Sequence, residues 1–261
     1  MTSKEKAVFL LIPIVAALLV LLGGRTATSQ GATAQQQAQT LVNHLEGVPS
    51  GPIAAQGNYV YMAFQSKLVV LDTSDPTAPR RVGWLFFTSA ILDMELRGAQ
   101  LYLITKNGDF HIVNVANSGR PVIEGLLRTT SSNYYSILAD ERFVYIVGEG
   151  AIDVVNVSAP SSPKFVGHLA IQANVVAVQG GYLYWAGYGG VEILSVVDPA
   201  NPTRVGSYVP SGLDTGATIL LANDRAYLTA HTGNDCGRGG CYDSQLIILD
   251  ISNPTSPVEL G

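Results

Sequence analysis

From residue 50 onward, apolar and polar positions alternate over short runs separated by Gly, Pro, Asn and Ser. Around Tyr145 the chain reads Phe143-Val144-Tyr145-Ile146-Val147, then Gly148-Glu149-Gly150, then Ile152 to Val157. A turn rich in proline and serine, Ser158 to Pro163, leads into Lys164 to Leu169. Alternation over so few residues, bounded by turn formers, predicts β-strands. A further apolar run, such as Asn174 to Val178, precedes each tyrosine run. The pattern therefore predicts four short strands in each unit. No segment of this region carries helical apolar spacing over three turns.

The units repeat. A Pro-x-x-x-Gly pattern spans Pro79 to Gly83, Pro121 to Gly125, Pro163 to Gly167, Pro202 to Gly206 and Pro257 to Gly261, with glycine intervals of 42, 42, 39 and 55. Asp72, Asn114, Asn156, Ser195 and Asp250 recur at the same intervals, and four residues after each come Pro76, Ser118, Pro160, Pro199 and Pro254. Tyr61, Tyr102, Tyr145, Tyr184 and Tyr227 form a third series in phase with the others. Five units of four strands predict an all-β chain, a β-propeller of five four-stranded blades. One such sheet cannot bury both faces alone, whereas stacking on its neighbours can bury them.

The last unit reads Leu246-Ile247-Ile248-Leu249-Asp250-Ile251-Ser252-Asn253-Pro254-Thr255-Ser256-Pro257. It resembles the LVIVD repeat of bacterial and archaeal surface proteins. Leu68 to Pro79 resembles it nearly as well, Ala151 to Pro163 and Val191 to Pro202 moderately, and Phe110 to Pro121 least, with Ser118 in place of a proline. The resemblance covers roughly residues 50–261. It implies a propeller-type fold in an exported or surface setting, and it brings no catalytic motif. The closure of the ring stays open: Thr40 to Gly47 could add a strand to the last blade, or the ring is partial. An open ring would expose an apolar blade face and associate.

The first residues depart from this texture. Lys4 and Lys6 precede an unbroken apolar run, Ala7 to Leu22, interrupted in character only by Pro13. A cationic start followed by an apolar stretch is an export signal. Small-residue cleavage patterns end at Ser29 and Ala34; read uncleaved, the segment is a membrane anchor helix. Residues 1–34 are thus assigned to a signal or anchor with its polar tether, 35–49 to a linker with a candidate ring-closing strand, and 50–261 to the propeller. The expected setting is extracellular, cell-surface or periplasmic, with membrane contact through the N-terminal segment alone.

Composition narrows the function. The net charge is −5, from 15 basic and 20 acidic residues, and charged residues make up only 13%. Without a cationic face, nucleic-acid binding is not expected.

The fifth unit breaks the repeat. Its tyrosine-to-acid gap is 23 residues, against 11 or 12 elsewhere. The additional residues lie within His231 to Ser244 (HTGNDCGRGGCYDS). An added loop on a repeat scaffold is where a binding surface is expected, on the same rim as the connections between blades. The candidate binding residues are Asp235, Arg238, Tyr242 and Asp243. Cys236 and Cys241 bracket four residues, three of them glycine, and are expected to form a disulfide in an oxidising compartment. Asn234, Asp235 and Asp243 offer oxygen ligands for Ca²⁺, but lack the alternating spacing of a calcium loop; no cofactor and no other metal are expected.

Two function classes follow. One is a non-catalytic binding module for a protein or cell-surface component. The other is a propeller enzyme (hydrolase, lyase or oxidoreductase) with Asp93, His231, Asp214 and Tyr135 at the channel mouth. His44, His111, His168 and His231 show no ligand spacing, and no nucleophile elbow or phosphate loop is present. The Asp72 to Asp250 series is periodic, and its members share a side-chain oxygen that can cap a turn. It therefore reads as structural.

Overall fold

The computed structural model describes residues 51–129, 133–171, 175–187, 190–210, 214–234 and 241–261. The N-terminal segment and the candidate ring-closing strand lie outside the described residues. Among those described, no helix is long and apolar enough to cross a membrane.

Twenty strands form five antiparallel four-stranded sheets, each in chain order. Sheet 1 comprises β1 (Ile53–Gln56), β2 (Tyr59–Phe64), β3 (Lys67–Asp72) and β4 (Arg80–Phe86). Sheet 2 comprises β5 (Ile91–Arg97), β6 (Gln100–Thr105), β7 (Asp109–Asn114) and β8 (Val122–Arg128). Sheet 3 comprises β9 (Tyr134–Ala139), β10 (Phe143–Gly148), β11 (Ala151–Asn156) and β12 (Lys164–Leu169). Sheet 4 comprises β13 (Val175–Gln179), β14 (Tyr182–Gly187), β15 (Gly190–Ser195) and β16 (Thr203–Tyr208). Sheet 5 comprises β17 (Asp214–Ala222), β18 (Arg225–Asn234), β19 (Cys241–Asp250) and β20 (Val258–Glu259). The first strands meet in succession: β1 against β5, β5 against β9, β9 against β13, β13 against β17. The sheets are therefore blades of a β-propeller, with the first strand of each innermost. The fourth place in sheet 5 is filled by the chain's own β20.

Strand alternation gives each sheet two apolar faces, a forward one toward the next sheet and a rear one toward the previous sheet. In sheet 1 the forward face carries Tyr61, Ala63, Leu68 and Val70, packed against Met94, Leu101, Leu103 and Val113 of sheet 2. The same contact joins sheets 2 and 3 through Tyr102, Ile104, Phe110 and Ile112. Tyr145, Val147, Ile152 and Val154 repeat it between sheets 3 and 4. Tyr184, Ala186, Val191 and Ile193 repeat it between sheets 4 and 5. The tyrosine series is thus the forward anchor of the second strand, and Tyr61 Oη shares a hydrogen bond with Ser118 Oγ of the next sheet at 3.0 Å.

Turn chemistry accounts for the polar series. The side-chain oxygens of Asp72, Asn114, Asn156 and Asp250 each accept a hydrogen bond from the amide two residues on, at 2.9–3.0 Å. These are Asx turns that end the third strand. The repeat glycines have another cause. A Cβ at Gly83 would stand 2.6 Å from the Ser118 carbonyl oxygen, and Gly125, Gly167 and Gly206 press still closer on Pro160, Pro199 and Pro254. The outer strands of sheets 1 to 4 each sit on the turn of the next sheet, where no side chain fits. A bulge precedes each of these glycines, since Val82, Glu124, Val166 and Val205 are skipped in the register.

Candidate functional site

The largest departure from the repeat is the second hairpin of sheet 5. The second and third strands of sheets 1 to 4 are six residues long, whereas β18 and β19 are ten. Their pairing continues from Arg225↔Asp250 out to His231↔Ser244, Thr232↔Asp243, Gly233↔Tyr242 and Asn234↔Cys241. Four added pairs at about 3.4 Å per residue carry the ribbon roughly 14 Å beyond the other sheets. Of the additional residues, His231–Asn234 and Cys241–Ser244 are thus strand. In sheet 1 the matching turn touches the connection to the next sheet: Phe87 and Ile91 donate their amides to Ser66 and Gln65 carbonyls at 2.8 and 2.7 Å. The ribbon therefore projects on the rim that carries the inter-sheet connections.

Of the candidate binding residues, Tyr242 and Asp243 lie on β19, opposite Gly233 and Thr232. Asp235 and Arg238 lie outside the described residues, as does Cys236; Cys241 begins β19. Among the calcium candidates, Asn234 ends β18 and Asp243 lies on the facing strand. Among the described residues no group of three or more His, Cys, Asp or Glu side chains could hold a metal.

The four enzyme candidates separate into two places. Asp214 and His231 are cross-strand partners in sheet 5. Asp93 and Tyr135 belong to β5 and β9, in sheets 2 and 3. The Asp93 carboxylate accepts hydrogen bonds from Ser136 Oγ at 2.8 Å and the Ile137 amide at 2.9 Å on its Oδ2. The Met94 amide donates to its Oδ1 at 2.9 Å. Glu95, two residues on, accepts from the Ala139 amide at 2.7 Å. These carboxylates pin β5 to the open edge of β9, satisfying inner-strand amides that no further strand covers. Burial pushes both carboxyls above their ordinary pKa, and the amide hydrogen bonds and, for Glu95, Arg97 oppose it.

A cluster missed in the sequence spans sheet 3. Tyr134 donates to Asp153 Oδ2, and Asp153 Oδ1 lies 2.6 Å from His168 Nδ1. Burial first, then the adjacent carboxylate, raises the Tyr134 phenol. Tyr134 is buried while the His168 ring is exposed. The trio clamps β9, β11 and β12 together and presents a carboxylate-backed imidazole to solvent. Its members sit 15 and 19 residues apart on separate strands, so no local motif announces them. His111 shows the opposite case: it is buried against the Phe87 edge at 4.9 Å, with no hydrogen-bond partner at either ring nitrogen. Burial, which disfavours the charged imidazole, lowers its pKa, with Asp109 opposing.

The LVIVD repeat model matches residues 50–84, 135–170, 172–209 and 241–261, leaving out the second unit that carries Ser118. No curated protein sequence is significantly similar to the chain. Solved structures share its fold. A functionally unknown protein of Desulfotomaculum acetoxidans DSM 771 aligns at 12% identity and TM-score 0.57 over 74% of this chain and 68% of that one. Saccharomyces cerevisiae Sqt1 aligns at 8% identity and TM-score 0.59, over 80% and 61%. A S. cerevisiae assembly of Dbp5 bound to Nup159 and Gle1, with IP6 and ADP, aligns at 12% identity and TM-score 0.52, over 82% and 62%. The chain thus spans about three-fifths to two-thirds of the structures it matches. At these identities the likeness is one of fold.

Proposed function

The chain is an LVIVD-repeat β-propeller protein, and from that premise we propose that it is an exported or cell-surface binding module that engages a protein or other surface component without catalysis. One observation carries this reading. The β18–β19 ribbon is the feature that leaves the repeat and extends backbone beyond the packed sheets. Backbone that adds nothing to the core is free to serve recognition. Tyr242 and Asp243 lie on that ribbon, and Asp235 and Arg238 fall between its two strands in the sequence; Tyr and Arg are residue types that anchor interfaces. A disulfide between Cys236 and Cys241 would hold its tip, so that less entropy is lost on binding. The export segment Ala7 to Leu22 delivers the module to its setting, as a cleaved signal or as an anchor. Among structures of the same fold, Nup159 occurs bound to Dbp5, which supports a protein partner here.

The enzyme alternative draws on the Asp214–His231 cross-strand pair. Its other members support it less, because the Asp93 carboxylate is already engaged by three donors. The test is site-specific photo-crosslinking on intact producing cells. A crosslinker at Tyr242 is expected to capture one discrete species, and one at the exposed Ile123 of sheet 2 none. Equal capture from both positions, or from neither, would refute the assignment.

A further inference from the structure

We propose that the connection between sheets 1 and 2, residues 87–90, is an acid-released latch: protonation of His111 expels Phe87 from the seam and opens it there, while the other seams stay closed. His111 lies on β7 and faces rearward, toward sheet 1. The same third-strand position holds Val69, Asp153, Glu192 and Ile247 in the other sheets. Where it is polar in sheets 3 and 4, it is answered: His168 Nδ1 lies 2.6 Å from Asp153, and Arg204 Nε 2.7 Å from Glu192. In sheet 2 it is not. Leu103 and Leu126 stand opposite His111 on β6 and β8. Phe87 packs against its ring at 4.9 Å, and among the described residues neither ring nitrogen has a hydrogen-bond partner.

The charges around His111 do not replace a partner. Asp109, two residues along β7, is in register with Arg128 of β8 and accepts from the Asn107 side-chain amide at 2.9 Å. On β8, Glu124 takes the Gln100 and Asn114 side chains. On β5, Asp93 and Glu95 reach the other way, to β9. The connection, Phe87-Thr88-Ser89-Ala90, carries no charge, and Lys106 in the β6–β7 turn is exposed. Tyr102 of β6 packs on the opposite face of sheet 2. Across the seam, Tyr59, Tyr61, Asp72 and Arg80 lie toward the proline turns; Asp72 pairs with Arg80 at 3.3 Å and Tyr61 with Ser118 at 3.0 Å. Lys67 turns instead to the Phe86 ring, 5.2 Å from its centroid. A charged imidazole has two N–H donors, and both would be buried here without an acceptor. Burial outweighs Asp109 and holds the pKa below its ordinary value.

The opening is local because the cover is a coil. Leu103 and Leu126 are fixed in the ladder of sheet 2, whereas three backbone hydrogen bonds hold the connection. The Phe87 amide donates to Ser66, the Ile91 amide to Gln65 and the Lys106 amide to Ala90, at 2.7–2.8 Å. Gln65, one of these anchors, sits at φ 51°, where a side chain is disfavoured. Once Phe87 withdraws, water reaches the ring and the imidazole titrates near 6.5, above its value in the closed form. The open fraction therefore rises as pH falls below about 6.5, by up to about tenfold per pH unit, until the closed form is protonated too. At the seam between sheets 2 and 3 the sign is reversed: Asp93 and Glu95 have raised pKa values, so acid relieves that seam.

The test is amide hydrogen exchange of the full chain in mild detergent, between about pH 7.5 and 5.5, with the intrinsic pH dependence of exchange divided out. Protection of the Phe87, Ile91 and Lys106 amides is expected to fall below pH 6.5, by up to about tenfold per pH unit. The amides of Ile146 and Leu183, in the second strands of sheets 3 and 4, should keep theirs. His111→Val should abolish the fall. Asp109→Asn removes the opposing charge, so it should retain the fall and extend it to lower pH. Flat protection in the natural chain overturns the proposal. So does a fall shared equally by Ile146 and Leu183, which would be global unfolding, or a fall that persists in His111→Val. Loss of the fall in Asp109→Asn would assign the titration to Asp109 and overturn it as well.

Discussion

Leu68 and Leu246 hold the same place in sheets 1 and 5, on the third strand and facing forward beside the repeat tyrosine. Leu68 is fully buried and Leu246 is 59% exposed. The strands around them have the same pattern, Leu-Val-Val-Leu-Asp and Leu-Ile-Ile-Leu-Asp. Leu68 packs against sheet 2, whereas no described sheet lies against Leu246. Burial in this molecule is therefore a property of the stack and not of the repeat: each unit brings a full apolar pattern, and its neighbours decide how much of that pattern contributes stability.

The sharpest break of this comparison uses the glycines. Gly167→Val forces a side chain into the Pro199 carbonyl and should cost about 3 kcal/mol or more by denaturant unfolding. Gly261→Val, at the matching place with open space around it, should leave the midpoint unchanged. Equal losses would mean that both positions face a packed neighbour. Next come the leucines themselves. Leu68→Ala should lose about 2–5 kcal/mol, and Leu246→Ala no more than about 0.5 kcal/mol.

Two smaller effects probe the aperiodic polar groups buried between sheets. Asp93→Ala orphans the Ile137 amide and should cost about 1–3 kcal/mol. The Asp93 carboxyl has a raised pKa in the folded chain, so its ionisation opposes folding. That penalty is present at neutral pH and eases as pH falls through the folded value toward the unfolded one near 3.9. His111→Val installs the residue that sheet 1 carries at the same position, Val69, and removes two unpartnered ring nitrogens. It should stabilise by about 1 kcal/mol. The His111 pKa is depressed in the folded chain. The natural protein should therefore lose stability as pH drops below about 6.5, the unfolded value, until the folded pKa is passed. Thermal melts across that range should show the loss in the natural chain and a flatter profile in the variant.

Much of this fold was legible because it is periodic. The glycine, tyrosine and Asx series each report one contact made in every unit, so spacing alone exposes them. The ring's closure was left open by the sequence, and the degree of burial was not legible: Leu246-Ile247-Ile248 reads no differently from Leu68-Val69-Val70. The polar groups between sheets 2 and 3 were hidden for another reason. Asp93 meets Ser136 and Ile137 from 43 and 44 residues away, and nothing local marks the pairing. In sheet 5 the added length was visible, but its conformation was not. Thr232-Gly233-Asn234 carries turn formers, yet its backbone continues the ladder to Asn234↔Cys241, because the facing segment Cys241 to Ser244 supplies strand partners.

The central claim is that the repeats hold the fold while the β18–β19 ribbon does the binding. Its most direct measurement replaces Thr232 to Asp243 with the two-residue turn Asn-Gly, which suits a tight hairpin closing on the His231↔Ser244 pair. The melting temperature of the purified chain and its retention on intact cells to which it is added from outside are then compared with those of the natural protein. The account expects an unchanged melting temperature and lost retention. Retention that survives the replacement would contradict it.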